Sequence, residues 1–462
     1  MSSTFRSLAL VVSAALALAA PAARADRVGD DEGPALPTPA AAPSGPLTLD
    51  QAVKASLERN RDQINAGLVI SLAEQAQVTS RSAILPTIGF NASIGGARVG
   101  GGESQTNPFT GVPTTAPSDS YASYSWGFTA RQLLFDGGKW WNNLDAAQAT
   151  FKSAQAAADE QSLQTRFAVE QRFYELIRAQ RQLAVFGEAA ARSRDQAEFV
   201  QKLFEGGKAA QSDVYAARAN RDNDEVNRLG SEARVELARY DLCTAIGFDP
   251  SKALAVVEPS GLLDEPAQPP GGQEAVDKAL TQRPSLKAAQ LAIESNRKRV
   301  DAAKGDYLPV VSASASYLRG TRVVGDVVDP DLTKKNTLSG SINLNWNLFA
   351  GFASDAGVRT QLLQMKQAEI DYQNGRRGVA SDVQKAVASL SAARAQARVA
   401  TQAFETAKQG LQLARTRQQV GVGTQLEVRD AELKLTQAQL SQVNALLDGR
   451  EQESALRRAI GG

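Results

Sequence analysis

The sequence predicts a mainly helical protein with a small β part, one plan written twice. Two stretches, Trp140 to Phe204 and Phe352 to Gln419, hold a helical pattern interrupted only by tolerable single glycines such as Gly187 and Gly375. Four shorter stretches alternate apolar and polar residues with period two. Landmarks of the first half recur in the second. Ala52-Val53 and Leu85-Pro86 match Ala275-Val276 and Leu308-Pro309 at an offset of 223, and Leu134-Phe135 and Gly207 match Leu348-Phe349 and Gly421 at 214. The offset falls by nine because the first repeat has the longer segment between its two strands. Several matches in one order mark a duplication.

Residues 1–25 read as an export signal. Arg6 is the one charge before the apolar run Leu8 to Ala20, and Ala23 and Ala25 offer an A-x-A cleavage site ahead of Asp26. That run is too short to cross a bilayer as a helix, and no other apolar run is longer. Any membrane insertion must therefore use strands. Pro-rich segments at 26–46 and 249–272 read as straps or linkers before the repeats 47–248 and 273–462. Each repeat then reads helix, strand, loop, strand, long helix, glycine turn, helix.

The strands are expected at 86–96, 121–135, 309–319 and 337–349. In the last, Leu338, Ile342, Leu344, Trp346 and Leu348 share one face, opposite Ser339, Ser341, Asn343, Asn345 and Asn347. Tyr124, Trp126 and Phe128 oppose Ser123, Ser125 and Thr129, and Tyr317 shares a face with Val311, Ala313 and Ala315. A half-buried soluble sheet also alternates. Here, however, the polar faces are almost wholly Ser, Asn and Thr, and Tyr124, Trp126, Phe128, Tyr317 and Trp346 suit membrane interfaces. Strands of about ten residues patterned this way fit a lipid-facing barrel with a wet lumen. Four strands cannot close around a lumen, since about eight are needed. An open edge is not tolerated in lipid. The membrane reading thus requires several chains per barrel.

At 1.5 Å per residue the long helices reach about 100 Å, several times the length of an ordinary globular helix. From Val379 through Val383, Val387, Leu390, Ala393, Ala397, Ala400, Phe404, Ala407 and Leu411 to Ala414, small and apolar residues recur over 35 residues in ten steps. That is the coiled-coil period. A solvated rod-like bundle accounts for these helices equally well, as in a secreted structural or adhesive coiled coil, but leaves the strands unexplained.

Composition excludes much else. There is no histidine, which removes the usual general base and the commonest metal ligand. No P-loop, nucleophile elbow, CxxC or dinucleotide fingerprint stands in the sequence. No enzymatic activity, metal or cofactor is expected. Removing residues 1–25 loses Arg6 and Arg24 and no acid, leaving 49 basic against 50 acidic residues, so no nucleic-acid partner is expected. Cys243 is the one cysteine, so no internal disulfide forms and no lipid-bearing cysteine follows the signal. It reads as a small packed residue.

Long helical hairpins, two strand pairs, a duplication and an export signal together resemble the TolC family of outer-membrane efflux and export channels. The resemblance runs from about Leu47 to Ile460. Its most specific pieces are "VGVGTQLEVRDA", similar to the family's VG-x-x-T-x-x-D-V-L-x-A, and its first-repeat counterpart "GGKAAQSDVYAA". It implies a homotrimer in the outer membrane of a Gram-negative bacterium, with four strands per protomer in a shared twelve-stranded barrel and helical hairpins forming a periplasmic tunnel. It also implies partners: a periplasmic adaptor (membrane fusion) protein and an inner-membrane transporter of the proton-driven RND or the ABC type. Multidrug efflux, metal efflux and type I secretion are not separable from these residues.

The candidate site lies at the glycine turns. Asp213 follows Gly207 by six residues and Glu427 follows Gly421 by six, and Asp430 lies one turn beyond Glu427 on the same helix face. The resemblance places Glu427 and Asp430 in an acidic, cation-sensitive ring at the periplasmic entrance, with Asp213 as the acid of the other hairpin. The local alternative is that Asp213 and Glu427 are first-turn acids favouring a helix N-terminus, worth about 0.3–1 kcal/mol. The tips, Gly206, Gly207, Lys208 and Ala209 with Gly421, Val422, Gly423 and Thr424, are the expected adaptor-docking surface. Where the family's best-known member has a Tyr and an Arg that hold the entrance closed, this chain has Gln418 and Gly423. Arg417 and Arg429 are the cations left nearby to replace them.

Overall fold

The computed structural model describes residues 45–99, 105–106, 113–114, 119–252, 254–323, 331 and 336–462. The signal and most of the segment 26–46 lie outside the described residues. In chain order the first repeat gives α1 (Leu49–Arg59), α2 (Arg61–Ser82), β1 (Thr87–Val99), two-residue strands β2 (Gln105–Thr106) and β3 (Pro113–Thr114), β4 (Asp119–Phe135), α3 (Lys139–Glu205) and α4 (Gln211–Ile246). The second gives α5 (Gly272–Gln282), α6 (Pro284–Lys304), β5 (Val310–Thr321), β6 (Asn336–Asn345), α7 (Ala353–Gln419) and α8 (Gln425–Ile460).

The single helix expected at the start of each repeat is two helices. Asn60 ends α1 and caps α2, its side chain accepting from the amides of Asp62 and Gln63. Arg283 and Pro284 make the matching break, with proline at the first position of α6, where its missing N–H costs nothing. The Arg283 guanidinium donates to Glu160 of α3 at 3.2 Å, and both side chains are 10% exposed.

The long helices α3 and α7 are each 67 residues, about 100 Å. The heptad seam is found. Val379, Val383, Leu390, Ala393, Ala397 and Leu411 are buried, and Phe404, Ala407 and Ala414 pack partly buried beside Val428 and Leu435 of α8. Alanine at five of the eleven seam positions lets the helices approach closely there. In the half nearer the sheet α3 packs between α2 and α6, and α6 continues to α7; in the far half α3 packs between α4 and α8, and α8 continues to α7.

Where these halves meet, each short helix seals a core. Ala52 of α1 joins Val169, Phe173, Ile177, Leu242, Cys243 and Leu447. Its repeat mate Ala275 joins Val276, Val383, Leu390 and Leu456. Cys243 is fully buried, and burial raises its thiol pKa, as expected of a packed residue. The inter-repeat segment crosses this level as a strap. Glu265 accepts from Arg394 at 2.8 Å, Glu258 from Arg181 at 2.9 Å, and Arg450 donates to the Gly261 and Leu262 carbonyls at 2.5 and 3.2 Å. Leu47 forms a one-residue parallel bridge with Val256 of the strap.

The four long strands make one antiparallel sheet in the order β1-β4-β5-β6. Phe90 opposes Phe128, Phe128 opposes Tyr317 and Tyr317 opposes Leu338, so the alternating faces are in register across all four. On the polar face hydroxyls pair across strands, Ser93 with Ser125 at 2.7 Å and Ser314 with Ser341 and Ser316 with Ser339 at 2.8 Å. On the other face Ile88, Leu338 and Ile342 are each more than 70% exposed in the single chain. The last strand corrects an expectation: β6 ends at Asn345, not at residue 349. Apolar-polar alternation continues through Trp346 and Leu348, but the backbone leaves the ladder to turn into α7. Gly351 and Phe352 take left-handed φ of 60° and 65° in that turn. Trp346 lies beyond the strand, its indole N–H donating to the Tyr307 carbonyl at 3.1 Å.

Candidate functional site

The far ends of both hairpins turn on glycine. Gly207 and Gly421 have φ of +73° and +84°, and no atom lies within 4 Å of where a Cβ would stand, so backbone conformation alone demands glycine. Gly423 is different. The amides of Val422 and Gly423 both donate to the Arg417 carbonyl, at 3.0 and 2.9 Å. A Cβ on Gly423 would meet the Gln418 nitrogen at 2.8 Å. A side chain at 423 would force the backbone of this tight turn to shift.

The tips differ in character. Val420, Val422 and Leu426 of the second are 67–77% exposed, whereas the first presents Glu205, Lys208 and Gln211. Thr424 caps α8, its hydroxyl accepting from the Glu427 amide at 3.2 Å. Asp213 caps α4, accepting from the Ala210 amide at 3.2 Å. Asp213 and Glu427 both stand in the first turn of their helices, as the local reading has them, and Asp213 makes a cap contact besides. Glu427 is exposed and lies 3.7 Å from Arg417, and Asp430 is exposed and pairs with Lys434 at 2.6 Å. These exposed pairs contribute little to stability, so both carboxylates stand at the surface of the single chain.

One turn deeper the two hairpins are joined. Arg429 of α8 donates through both terminal nitrogens to Asp224 of α4, at 2.7 and 3.2 Å, with side chains only 18% and 9% exposed. One turn along α8, Glu432, 5% exposed, accepts from Arg415 of α7 at 3.0 Å. Arg192 of α3 donates to Thr436 at 3.0 Å. Further along, Gln182 reaches Asn444 at 2.9 Å, and Arg178 contacts Glu175, Asp448 and Glu451 at 2.9, 2.7 and 2.7 Å. The α3–α8 seam thus carries a series of polar contacts alongside the apolar packing of Leu447. Three carboxylates share the one Arg178 guanidinium, and burial raises the Glu451 pKa from its ordinary value.

Of the two cations proposed from sequence to replace the missing Tyr and Arg, Arg429 makes the buried bidentate contact and Arg417 only the loose one. Asp224 escaped sequence reading, since its role depends on how α4 and α8 lie side by side. Asp213 shares a cleft of about 210 Å³ with Ser193, Gln196, Arg429 and Glu432, without pairing to Arg429. Four of the predicted interface aromatics cluster with Phe90 on one sheet face: Trp126 lies 5.7 Å from Tyr317 and 6.1 Å from Phe128, and Tyr124 is in register with Ile94. Trp346 is at the other end of the sheet. Among the described residues no helix is long and apolar enough to cross a membrane, and no cluster of His, Cys, Asp and Glu is arranged to hold a metal.

Comparison with known proteins agrees with this architecture. The profile of the outer membrane efflux protein family matches residues 52–247 and 275–462. The outer membrane protein TolC of Vibrio cholerae is 27% identical over 392 residues, 84% of this chain and 85% of that protein. The outer membrane efflux protein BepC of Brucella suis is 26% identical over 351 residues, 75% and 74% of the two chains. The solved structure of VceC from Vibrio cholerae superposes with a TM-score of 0.72, at 18% identity, over 90% of this chain and 96% of that one. Repeats, strands and hairpins fall within the matched ranges, and the chain belongs to the outer membrane efflux protein family.

Proposed function

We propose that the chain is the outer-membrane exit duct of a tripartite efflux pump or type I secretion system, a passive conduit that works as a homotrimer. One observation carries this reading: a sheet with an exposed apolar face and a hydroxyl-paired polar face caps helices about 100 Å long. On that face Ile88, Leu338 and Ile342 are more than 70% exposed in the single chain, a surface that lipid would cover. From Trp126 to Phe135 the strand takes nine residue steps, about 30 Å, which a tilt near 40° reduces to about 23 Å, close to the apolar band of a transmembrane barrel. Phe135, Trp346, Phe349 and Phe352 mark the tunnel-side border of that band.

The edges β1 and β6 run antiparallel, so β6 of one copy continues the pattern against β1 of the next. Two copies would supply eight strands and a lumen filled by side chains, whereas three supply twelve and an open bore. The helices support the same ring. Ser295 of α6 is 4% exposed against α3, donating to the Ala146 carbonyl at 3.0 Å beside the equally buried Ala149. Their repeat counterparts are Leu72 of α2 and Leu363 of α7, each 70% exposed. A second copy that sets its α2 on this α7 covers both.

In this assembly Glu427 and Asp430 of three chains converge at the narrow end as a cation-sensitive ring. The tips, with Val420, Val422 and Leu426 outermost, dock a periplasmic adaptor that leads to an inner-membrane transporter of the RND or ABC type. The reading predicts that the protein fractionates with the outer membrane, needs detergent for extraction and has the mass of three chains in detergent. A monomer released by salt alone would be a secreted coiled coil and would end this reading.

A further inference from the structure

The internal repeat also says what fills a groove left open near the tips. Within the chain, Ser193 and Gln196 of α3 with Ala217 and Asn220 of α4 line a cleft, and Arg429 of α8 lies across it to reach Asp224. Moved forward by 214 residues, the same positions are Ala407, Gly410, Ala431 and Lys434. These line a second groove, between α7 and α8, of about 640 Å³ and predominantly apolar. Among the described residues no other element of the same chain lines it. The residue related to Arg429 by the repeat is Tyr215 of α4, which is 60% exposed. The residue related to Asp224 is Ala438, so the ionic contact cannot recur there.

We propose that Tyr215 of a second copy of this chain seats in the groove over Ala407 and Gly410, as the between-chain counterpart of the Arg429–Asp224 contact. The inference rests on the trimeric reading above and adds the contact that closes its seam at the entrance. Size is complementary: where the within-chain cleft has Gln196 beneath an extended Arg429, the groove has Gly410, leaving room for a phenol ring. A side chain at Gly410 would meet no atom within 4 Å in the single chain, so glycine is not required there by the chain's own fold. Depth agrees, because α3 and α7 are of equal length and bring both tips to one level. Charge agrees too. Helix α7 carries ten Lys and Arg against five Asp and Glu, and α4 carries seven acids against five bases, so the two flanks attract. The ring then alternates three ionic seams within chains and three aromatic seams between them, with Asp430 and Lys434 at the rim of each aromatic seat.

The test is disulfide trapping in the full-length protein, with Cys243→Ser removing the native thiol. Tyr215→Cys with Gly410→Cys should give covalent dimers and trimers that reduction dissolves. Leu72→Cys with Leu363→Cys, in the sheet-proximal half, tests assembly itself. If the second pair links chains and the first does not, the tyrosine seat is wrong and the trimer stands. If neither links, the trimeric reading fails with it. A bond formed only within one chain, or a Gly410→Cys thiol trapped only by an adaptor, also overturns the seat. Independently, Gly410→Leu should keep the helical content of the chain yet lower the temperature at which its oligomer dissociates. An oligomer of unchanged heat resistance would contradict an occupied seat.

Discussion

Arg429 and Asp224 stand 205 residues apart in sequence and meet through two hydrogen bonds in a nearly buried contact. They tie the two hairpins of one chain together a turn above the proposed entrance. Neither the tight turn at Gly423 nor Gln418 offers a comparable contact among the described residues.

Removing one partner strands a buried charge. Asp224→Ala should lower stability by about 3 kcal/mol and lengthen open dwell times in single-channel records. The double variant Asp224→Ala with Arg429→Ala should recover part of the stability, because no charge is left alone. Additive losses in the double-mutant cycle would mean that the two residues act independently.

Glu427→Ala combined with Asp430→Ala should raise the half-blocking concentration of hexaamminecobalt(III) by about tenfold or more, since six converging carboxylates are lost from the entrance. The same variant should keep its thermal stability, as both carboxylates make only exposed pairs. Unchanged block would remove the acidic ring.

Glu451 supplies a pH test. Its folded-state pKa is raised by burial, so the folded chain holds this proton more tightly than the unfolded chain does. Stability therefore falls as pH rises from the ordinary carboxylate range through the raised value, and returns on acidification. Glu451→Gln keeps a hydrogen-bonding group beside Arg178 and should flatten that stretch of the stability profile. A parallel profile in the variant would show that this carboxylate is not the source.

Photo-crosslinkers at Ala209 and Val422 should capture the periplasmic adaptor in intact cells, because both positions lie at the tips. Capture solely from mid-tunnel positions would move the docking surface away from them.

Much of this was legible in the sequence because two periodicities carry it. Period two placed Trp126, Phe128 and Tyr317 on one face opposite Ser125 and Ser316, and Gly207 and Gly421 announced the tips through a backbone need that only glycine meets. Pro284 signalled a helix start that the sequence reading passed over. Asn60 gave no such warning, since a polar residue in a polar helix looks like any other. Alternation continuing through Trp346 hid the end of β6, because pattern does not record where a backbone leaves its ladder. The Arg429–Asp224 contact and the Tyr215 seat depend on which helices lie side by side, and no local pattern encodes that.

The central claim is that this chain forms a conduit through a lipid bilayer. Detergent-purified protein added to a planar bilayer should insert and give discrete, long-lived conductance steps, blocked from the side that exposes Glu427 and Asp430 by hexaamminecobalt(III). Correctly folded, oligomeric protein that never raises the conductance of the bilayer would contradict it.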